Sequence, residues 1–269
     1  MLKLSSMPIS SVPIWEIGKS MRIIKLFDIK ENKREMISIV GGGGKTTTVF
    51  KLANELRALD KRVLVTTTTA MYNPSKELYN SLVLLDKHQK IYKDWSKGTI
   101  IVLGRCISVE NKLLGVDSNV LDELYNEKLF DYILVEADGS KKKPIKAPGS
   151  HEPVIPSQTS KTIGVIGMDS LEKSIDENNV HRAELFSQIT NSRIGDLITK
   201  DIICRLVISK DGLFKGLPLN SKKYLLLNKA DREEQIEQAK SIAYMIRKAN
   251  IIIDGIIAGS MKNERLNMV

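Results

Sequence analysis

Met36-Ile37-Ser38-Ile39-Val40-Gly41-Gly42-Gly43-Gly44-Lys45-Thr46-Thr47-Thr48 decides how the chain is read. An apolar run leads into four glycines, and an amphipathic run, Val49 to Leu59, follows. The order is strand, glycine turn, helix. Without Cβ atoms the turn brings backbone N–H groups close to an anion, and the helix adds its positive N-terminal end. In such a loop Lys45 reaches the terminal phosphates and the Thr46 hydroxyl sits on Mg2+, with Thr47 next in line. The plainer alternative is a glycine hinge, but four glycines followed by Lys-Thr-Thr at a strand-to-helix junction favour phosphate.

The motif departs from the common P-loop in two places. A glycine is expected five residues before the final Gly-Lys, and Ile39 stands there. The alignment Gly41-Gly42-x-Gly44-Lys45-Thr46-Thr47 is closer to the Gly-Gly-Val-Gly-Lys-Thr-Thr form of one P-loop branch. That branch carries a second lysine where this chain has Val40.

Around this motif, 269 residues suffice for one large α/β domain or two small ones. The formal charge of +9, from 41 Lys and Arg against 32 Asp and Glu, suits anionic ligands. Dispersed charge and 5% aromatic content disfavour nucleic acid. Cys106 and Cys204 lie far apart and outside any metal-spaced motif, so reduced thiols and a cytoplasmic setting are expected. Met1 to Ser20 holds Pro8 and Pro13 and no long apolar run, which reads as neither signal peptide nor membrane span. Residues 1–30 are expected to form a loosely ordered extension, with a first strand over Met21–Phe27, and 31–269 the nucleotide-binding domain.

Downstream, Arg62-Val63-Leu64-Val65 ends in four threonines, 66–69. Ligand-facing residues of open α/β sheets collect at strand C-termini, so one hydroxyl, Thr68 among them, could touch phosphate or metal. The alternative is that β-branched threonines extend the strand. Tyr132-Ile133-Leu134-Val135 is apolar throughout, as a strand buried on both faces must be. It runs into Glu136-Ala137-Asp138-Gly139. A rigidly mounted carboxylate opposite the loop threonine is what a Mg2+-nucleotide site requires. Glu136 or Asp138 would hold metal-bound water, and Gly139 N–H could meet the terminal phosphate. An Asp-Gly turn is the alternative.

Residues 140–160 form an inserted loop rich in lysine and proline, carrying Lys141, His151 and Glu152. Val180-His181-Arg182-Ala183-Glu184 is expected to open a helix, with His181 and Glu184 on one face. These histidines and acids could bind a further ligand or a metal, or could equally cap and pack. A helix is expected over Asp196–Ile208, and a last strand over Ile251–Ile257. Tyr224-Leu225-Leu226-Leu227 leads into Asn228-Lys229-Ala230-Asp231. Asn-Lys-x-Asp at a strand end is a guanine-reading sequence: the carboxylate accepts from N1–H and the 2-amino group, and adenine would leave it unpaired. Asp231 also fits a helix N-cap. Ser260, after the next strand, would support the base.

These strings, together with Val65-Thr66-Thr67-Thr68-Thr69, His151-Glu152-Pro153-Val154-Ile155-Pro156 and Val180-His181-Arg182, resemble the YqeC family over about Met36 to Ser260. The resemblance implies an accessory factor for a selenium-dependent molybdenum hydroxylase or its pterin cofactor, near a selenium-donor supply. More distantly, the loop and Glu136-x-x-Gly139 are similar to the nickel-insertion GTPases of urease and hydrogenase. Val40 weighs against a lysine-finger dimer.

The expectation is therefore an α/β fold, a mostly parallel sheet with helices on both faces, P-loop NTPase-like. The leading function is a slow Mg2+-dependent NTPase, with GTP preferred over ATP. A kinase or nucleotidyltransferase acting on a small cofactor, and a carrier without turnover, are the alternatives.

Overall fold

The structure, a computed structural model, describes residues 23–87, 91 and 94–269. Glu35–Gly41 forms β1, the middle strand of a nine-stranded sheet. On one side of it lie β7 (Tyr132–Glu136), β2 (Arg62–Thr67), β5 (Thr99–Gly104) and β4 (Ser81–Leu84). On the other lie β9 (Lys161–Gly167), β11 (Lys222–Asn228), β12 (Gly255–Ser260) and β13 (Arg265–Met268). Every pairing is parallel except β12 with β13. The expected mostly parallel α/β fold is borne out.

Alternation of side chains divides the apolar strands between two cores. Met36, Val40, Ile133 and Val135 face one core, shared with α3 (Ser118–Asn126), α4 (Ala183–Thr190), α5 (Lys200–Ile208) and α6 (Glu233–Lys248). Ile37, Ile39, Val63, Val65 and Leu134 face the other, under α2 (Lys45–Arg57) and α1 (Ile23–Leu26). By the same period, Glu136 follows Leu134 onto the α2 side of the sheet. That places its carboxylate beside the start of α2.

Several boundaries differ from expectation. The segment read as a strand over Met21–Phe27 holds a single helical turn, α1; an unbroken apolar run does not tell strand from helix. Ile23, Ile24, Leu26, Phe27 and Ile29 are buried, and Ile24 N donates to Glu55 of α2 at 3.1 Å, so the core begins inside the expected extension. The rest of that extension, residues 1–22, lies outside the described residues. His181 is not on a helix: Val180–His181 is a short strand, β10, paired in parallel with β8 (Ile145–Lys146) within the proline-rich loop. α5 starts at Lys200, because Thr199 caps it by accepting from Ile202 N at 3.3 Å. The last parallel strand begins only at Gly255 and is followed by antiparallel β13, which closes that edge. The two-residue strand β8 was not expected in the 140–160 loop. β3 (Ala70–Tyr72) and β6 (Lys112–Leu114) form a small antiparallel flap beside the end of β2. Among the described residues no helix is long and apolar enough to cross a membrane.

Candidate functional site

The glycine loop lies at the C-terminal edge of β1, with β7 and β9 on either side. It is packed closely against protein. A Cβ on Gly43, whose φ is +80°, would stand 2.3 Å from Gly167 N, and one on Gly41 (φ +94°) 2.3 Å from Val165 O. Three of its amides serve the fold itself. Gly41 N–H donates to Asp138 Oδ2 at 3.0 Å, Gly42 N–H to Val165 O at 2.9 Å, and Gly43 N–H to Lys143 O at 3.0 Å. The amides left for an anion are those of Gly44, Lys45, Thr46 and Thr47, the open N-terminal turn of α2. All four residues line a cleft of about 1230 Å3.

Two carboxylates meet this turn. Thr46 Oγ1 donates to Glu136 Oε2 at 2.7 Å. Lys45 Nζ donates back to Gly41 O at 2.8 Å and stands 3.3 Å from Asp138 Oδ1 and 3.8 Å from Glu136 Oε1. Burial raises the Glu136 pKa, opposed by the Lys45 charge and the Thr46 hydrogen bond and helped by Asp138. A buried carboxyl raised in this way is stabilised as a carboxylate by an added cation. Thr46 and Glu136 offer hard oxygen donors, and a metal held there would complete its shell with phosphate and water. That suits Mg2+, which binds through one or two carboxylates plus phosphates. Among the described residues no three His, Cys, Asp or Glu side chains gather into a metal cage. Asp138, the other carboxylate offered as a metal ligand, accepts from Gly41 N–H through Oδ2 and stands beside Lys45 and Lys146, while its buried Oδ1 forms no hydrogen bond among the described residues.

A buried lysine extends the charge pattern. Lys146 Nζ lies 3.0 Å from Asp138 Oδ2 and donates to Gly139 O and Glu152 Oε2, each at 2.6 Å. Glu152 Oε2 also accepts from Arg182 Nη1 at 2.7 Å. The result is an alternating chain, Lys45–Asp138–Lys146–Glu152–Arg182. Burial would push the Glu152 pKa up, but Arg182 and Lys146 outweigh it and hold the group at about 2. His181, 9% exposed, is lowered to about 4 by burial first and then by Arg182 and Lys146.

The cleft gathers Gly43, Gly44, Lys45, Thr46, Thr47, Glu136, Gly139, Lys141, Glu152, His181, Arg182 and Lys229 from the sequence candidates. Gly139 has open space where a Cβ would stand. Others fall elsewhere. Thr68 Oγ1 donates to Val154 O at 2.7 Å; it is Thr69 that lines the cleft, with a buried hydroxyl that has no partner among the described residues. His151 lines a second cavity of about 850 Å3, which shares Glu152 and Arg182 with the cleft. Asn228 is buried and clamps the loop: its Nδ2 donates to Gly43 O at 2.8 Å and its Oδ1 accepts from Met261 N at 2.9 Å. Lys229 pairs with Asp169 at 2.7 Å. Asp231 is exposed and accepts from Asn263 Nδ2 at 2.9 Å. It is not the N-cap of α6; that position is Arg232, and Gln235 Oε1 accepts from both Asp231 N and Arg232 N. Ser260 is buried at the end of β12. Lys146 and Thr69 had not been singled out. Thr69 stood within the threonine run, whereas a lone lysine between Ile145 and Ala147 carries no sequence signal.

The family model described as YqeC protein matches residues 37–184, which span β1, α2, β7 and the charged chain. A protein of Escherichia coli (strain K12), described as uncharacterized protein YqeC, is 31% identical over 217 residues, covering 80% of this chain and 84% of its own length.

Proposed function

The chain belongs to the YqeC family, and from that premise we propose that it is a cytoplasmic nucleotide-binding protein that holds a Mg2+-nucleoside triphosphate at the start of α2. The observation that carries this reading is the 2.7 Å contact between Thr46 Oγ1 and Glu136 Oε2, beside Lys45. A hydroxyl from the helix N-terminus and a carboxylate from the neighbouring parallel strand meet at the open amides of α2. In this role Lys45 leaves Asp138 for the terminal phosphates, and Thr46 and Glu136 hold the metal directly or through water. The amides of Gly44 to Thr47 bind the phosphates, and Gly139 stands by the leaving end. Slow hydrolysis, with Glu136 orienting water, is the expected chemistry.

Guanine is the expected base. Lys229 lines the cleft, and Asp231 follows two residues on in the segment between β11 and α6. The resemblance supports a client: a selenium-dependent molybdenum hydroxylase, its pterin cofactor or the selenium-donor machinery. Calorimetry with GTP, ATP and their diphosphates, with and without Mg2+, tests the reading. Mg2+-dependent triphosphate binding should be lost in Lys45→Ala, and guanine preference should be lost in Asp231→Asn. Unchanged nucleotide affinity in Lys45→Ala would sink the phosphate reading. Equal GTP and ATP affinity in the wild type would remove only the base reading.

A further inference from the structure

One wall of the cleft carries a histidine that the nucleotide reading does not use. The His181 side chain is about nine-tenths buried, lines the cleft, and forms no hydrogen bond among the described residues. Its position is set by β8 and β10, where His181 stands in register with Lys146. Side chains in register on adjacent parallel strands share a face, about 4.8 Å apart. Lys146 reaches Asp138, which stands 3.3 Å from Lys45 Nζ. His181 is thus one strand removed from the phosphate loop. Beside it, Arg182 spends only Nη1, on Ala147 O at 3.2 Å and on Glu152. Its Nε–Nη2 edge makes no hydrogen bond among the described residues, and such an edge fits two oxygens of one oxyanion.

Two further features favour a second occupant. The cleft, at about 1230 Å3, exceeds the roughly 300–1,000 Å3 of a pocket for one small molecule. Its walls carry six basic residues, Lys45, Lys112, Lys141, Lys142, Arg182 and Lys229, against three acidic ones, Glu136, Glu152 and Glu177.

We propose that His181, Arg182 and Lys141 form a second ligand subsite, for the phosphate group of a small molecule that enters the cleft beside the nucleotide. Arg182 and Lys141 supply positive charge. The neutral His181 imidazole accepts the hydrogen bond that the P–OH of a phosphate monoanion donates. Anion binding here stands apart from the nucleotide reading; only the juxtaposition of two ligands rests on it.

The groups facing His181 are Arg182, Lys146, Glu152 and Lys141. An added oxyanion offsets the three cations and raises the His181 titration midpoint. The test uses the full chain labelled with 13C-histidine, in which only His88, His151 and His181 give signals. The His181 signal is assigned by its loss in His181→Gln. Inorganic phosphate is titrated into protein saturated with Mg2+ and a non-hydrolysable GTP analogue, and into protein without nucleotide. The expected result is an upward shift of the His181 midpoint in both arms. Arg182→Gln should weaken the phosphate response about 10- to 100-fold, as loss of a charged hydrogen bond does. A midpoint that phosphate leaves unmoved in both arms overturns the proposal, as does an equal response in Arg182→Gln. A response in the free protein that the bound analogue abolishes assigns the wall to the nucleotide and also overturns it. Failure of the analogue to bind, read separately by calorimetry, counts against the nucleotide reading, and the free-protein arm still decides the subsite.

Discussion

Lys146→Met is the sharpest perturbation of the charged chain. The Lys146 side chain is 1% exposed and touches Asp138 (2% exposed) and Glu152 (17% exposed). Removing its ammonium leaves Asp138 with Lys45 at 3.3 Å and Glu152 with Arg182 at 2.7 Å, and it leaves Gly139 O without its donor. Breaking a buried ion pair by deleting one partner costs about 3–5 kcal/mol, and the half-buried Gly139 carbonyl adds less than the about 1–3 kcal/mol of a fully buried orphan. The surviving partners recover part of this, so a net loss of about 4 kcal/mol is expected, a large share of the about 5–15 kcal/mol that holds a protein folded. For a chain of this size that corresponds to a melting point lower by roughly 8–16 °C. Urea titration followed by circular dichroism, at unchanged m-value, measures it. The double variant Lys146→Met/Glu152→Gln removes one stranded charge and should be less destabilised than additivity predicts, by about 0.5–3 kcal/mol. A single-variant loss below about 1 kcal/mol, the range of a solvated surface pair, would refute the reasoning. It would mean that water reaches these carboxylates and that the chain of charges is not a buried one.

Other consequences follow from the same geometry. His181, whose pKa falls from 6.5 to about 4 on folding, binds a proton in the unfolded chain before it does in the native one. Stability from this group is complete above pH 6.5 and falls as the pH drops towards 4; His181→Gln should flatten that part of the pH–stability curve. Glu152, lowered from 4.5 to about 2, contributes stability that is present above pH 4.5 and lost as the pH falls through 2. Glu152→Gln should remove that lower part of the decline while leaving the part above pH 4.5. Gly43→Ala should fail to fold, since its Cβ would meet Gly167 N at 2.3 Å in a left-handed backbone, whereas Gly139→Ala, with open space, should change stability by no more than about 0.5 kcal/mol. Soluble expression and thermal melts separate the two. Glu136→Gln should weaken Mg2+-dependent nucleotide binding about 10- to 100-fold with little effect on Mg2+-free binding, measured by calorimetry.

The mostly parallel sheet and the glycine turn were legible where local pattern and tertiary demand coincide. Tyr132–Val135 read as a doubly buried strand, and Met36–Val40 as an apolar strand, because both faces of this sheet are covered. The Lys45–Thr46 turn was legible because only a tight strand-to-helix junction needs those glycines. That an acid at the end of the apolar run stands opposite Thr46 was legible, but the sequence left Glu136 and Asp138 as alternatives, and the structure brings Glu136 to the Thr46 hydroxyl. What stayed hidden depends on contacts remote in sequence. Residues 23–26 form a helical turn because Phe27 packs edge-on against Tyr224, 5.9 Å between ring centroids, and Glu55 takes up Ile24 N. His181 is held in a strand by pairing with β8, a two-residue element too short to show any periodicity. Lys146 is buried only because Asp138 and Glu152 converge on it.

Asn228 shows how a motif can be right in position and still say little about the ligand. Its amide joins Gly43 O to Met261 N, and a Cβ on Gly44 would stand 2.3 Å from its Nδ2. An asparagine at this strand end is therefore explained by the loop alone, whatever base is bound, because both ends of its amide are used inside the protein. A variant at Asn228 would loosen the phosphate loop and weaken GTP and ATP alike, so it cannot discriminate between them. Asp231 can. Its carboxylate is exposed, its one side-chain hydrogen bond among the described residues is from Asn263, and α6 does not use it as a cap. Among the described residues that one contact needs an acceptor oxygen, which an asparagine also offers, and not a charge. If Asp231→Asn leaves thermal stability unchanged and abolishes a preference for GTP, the acid serves the base. If the wild type shows no preference, Asn228-Lys229-Ala230-Asp231 serves as a clamp for the glycine loop, and base selection lies elsewhere.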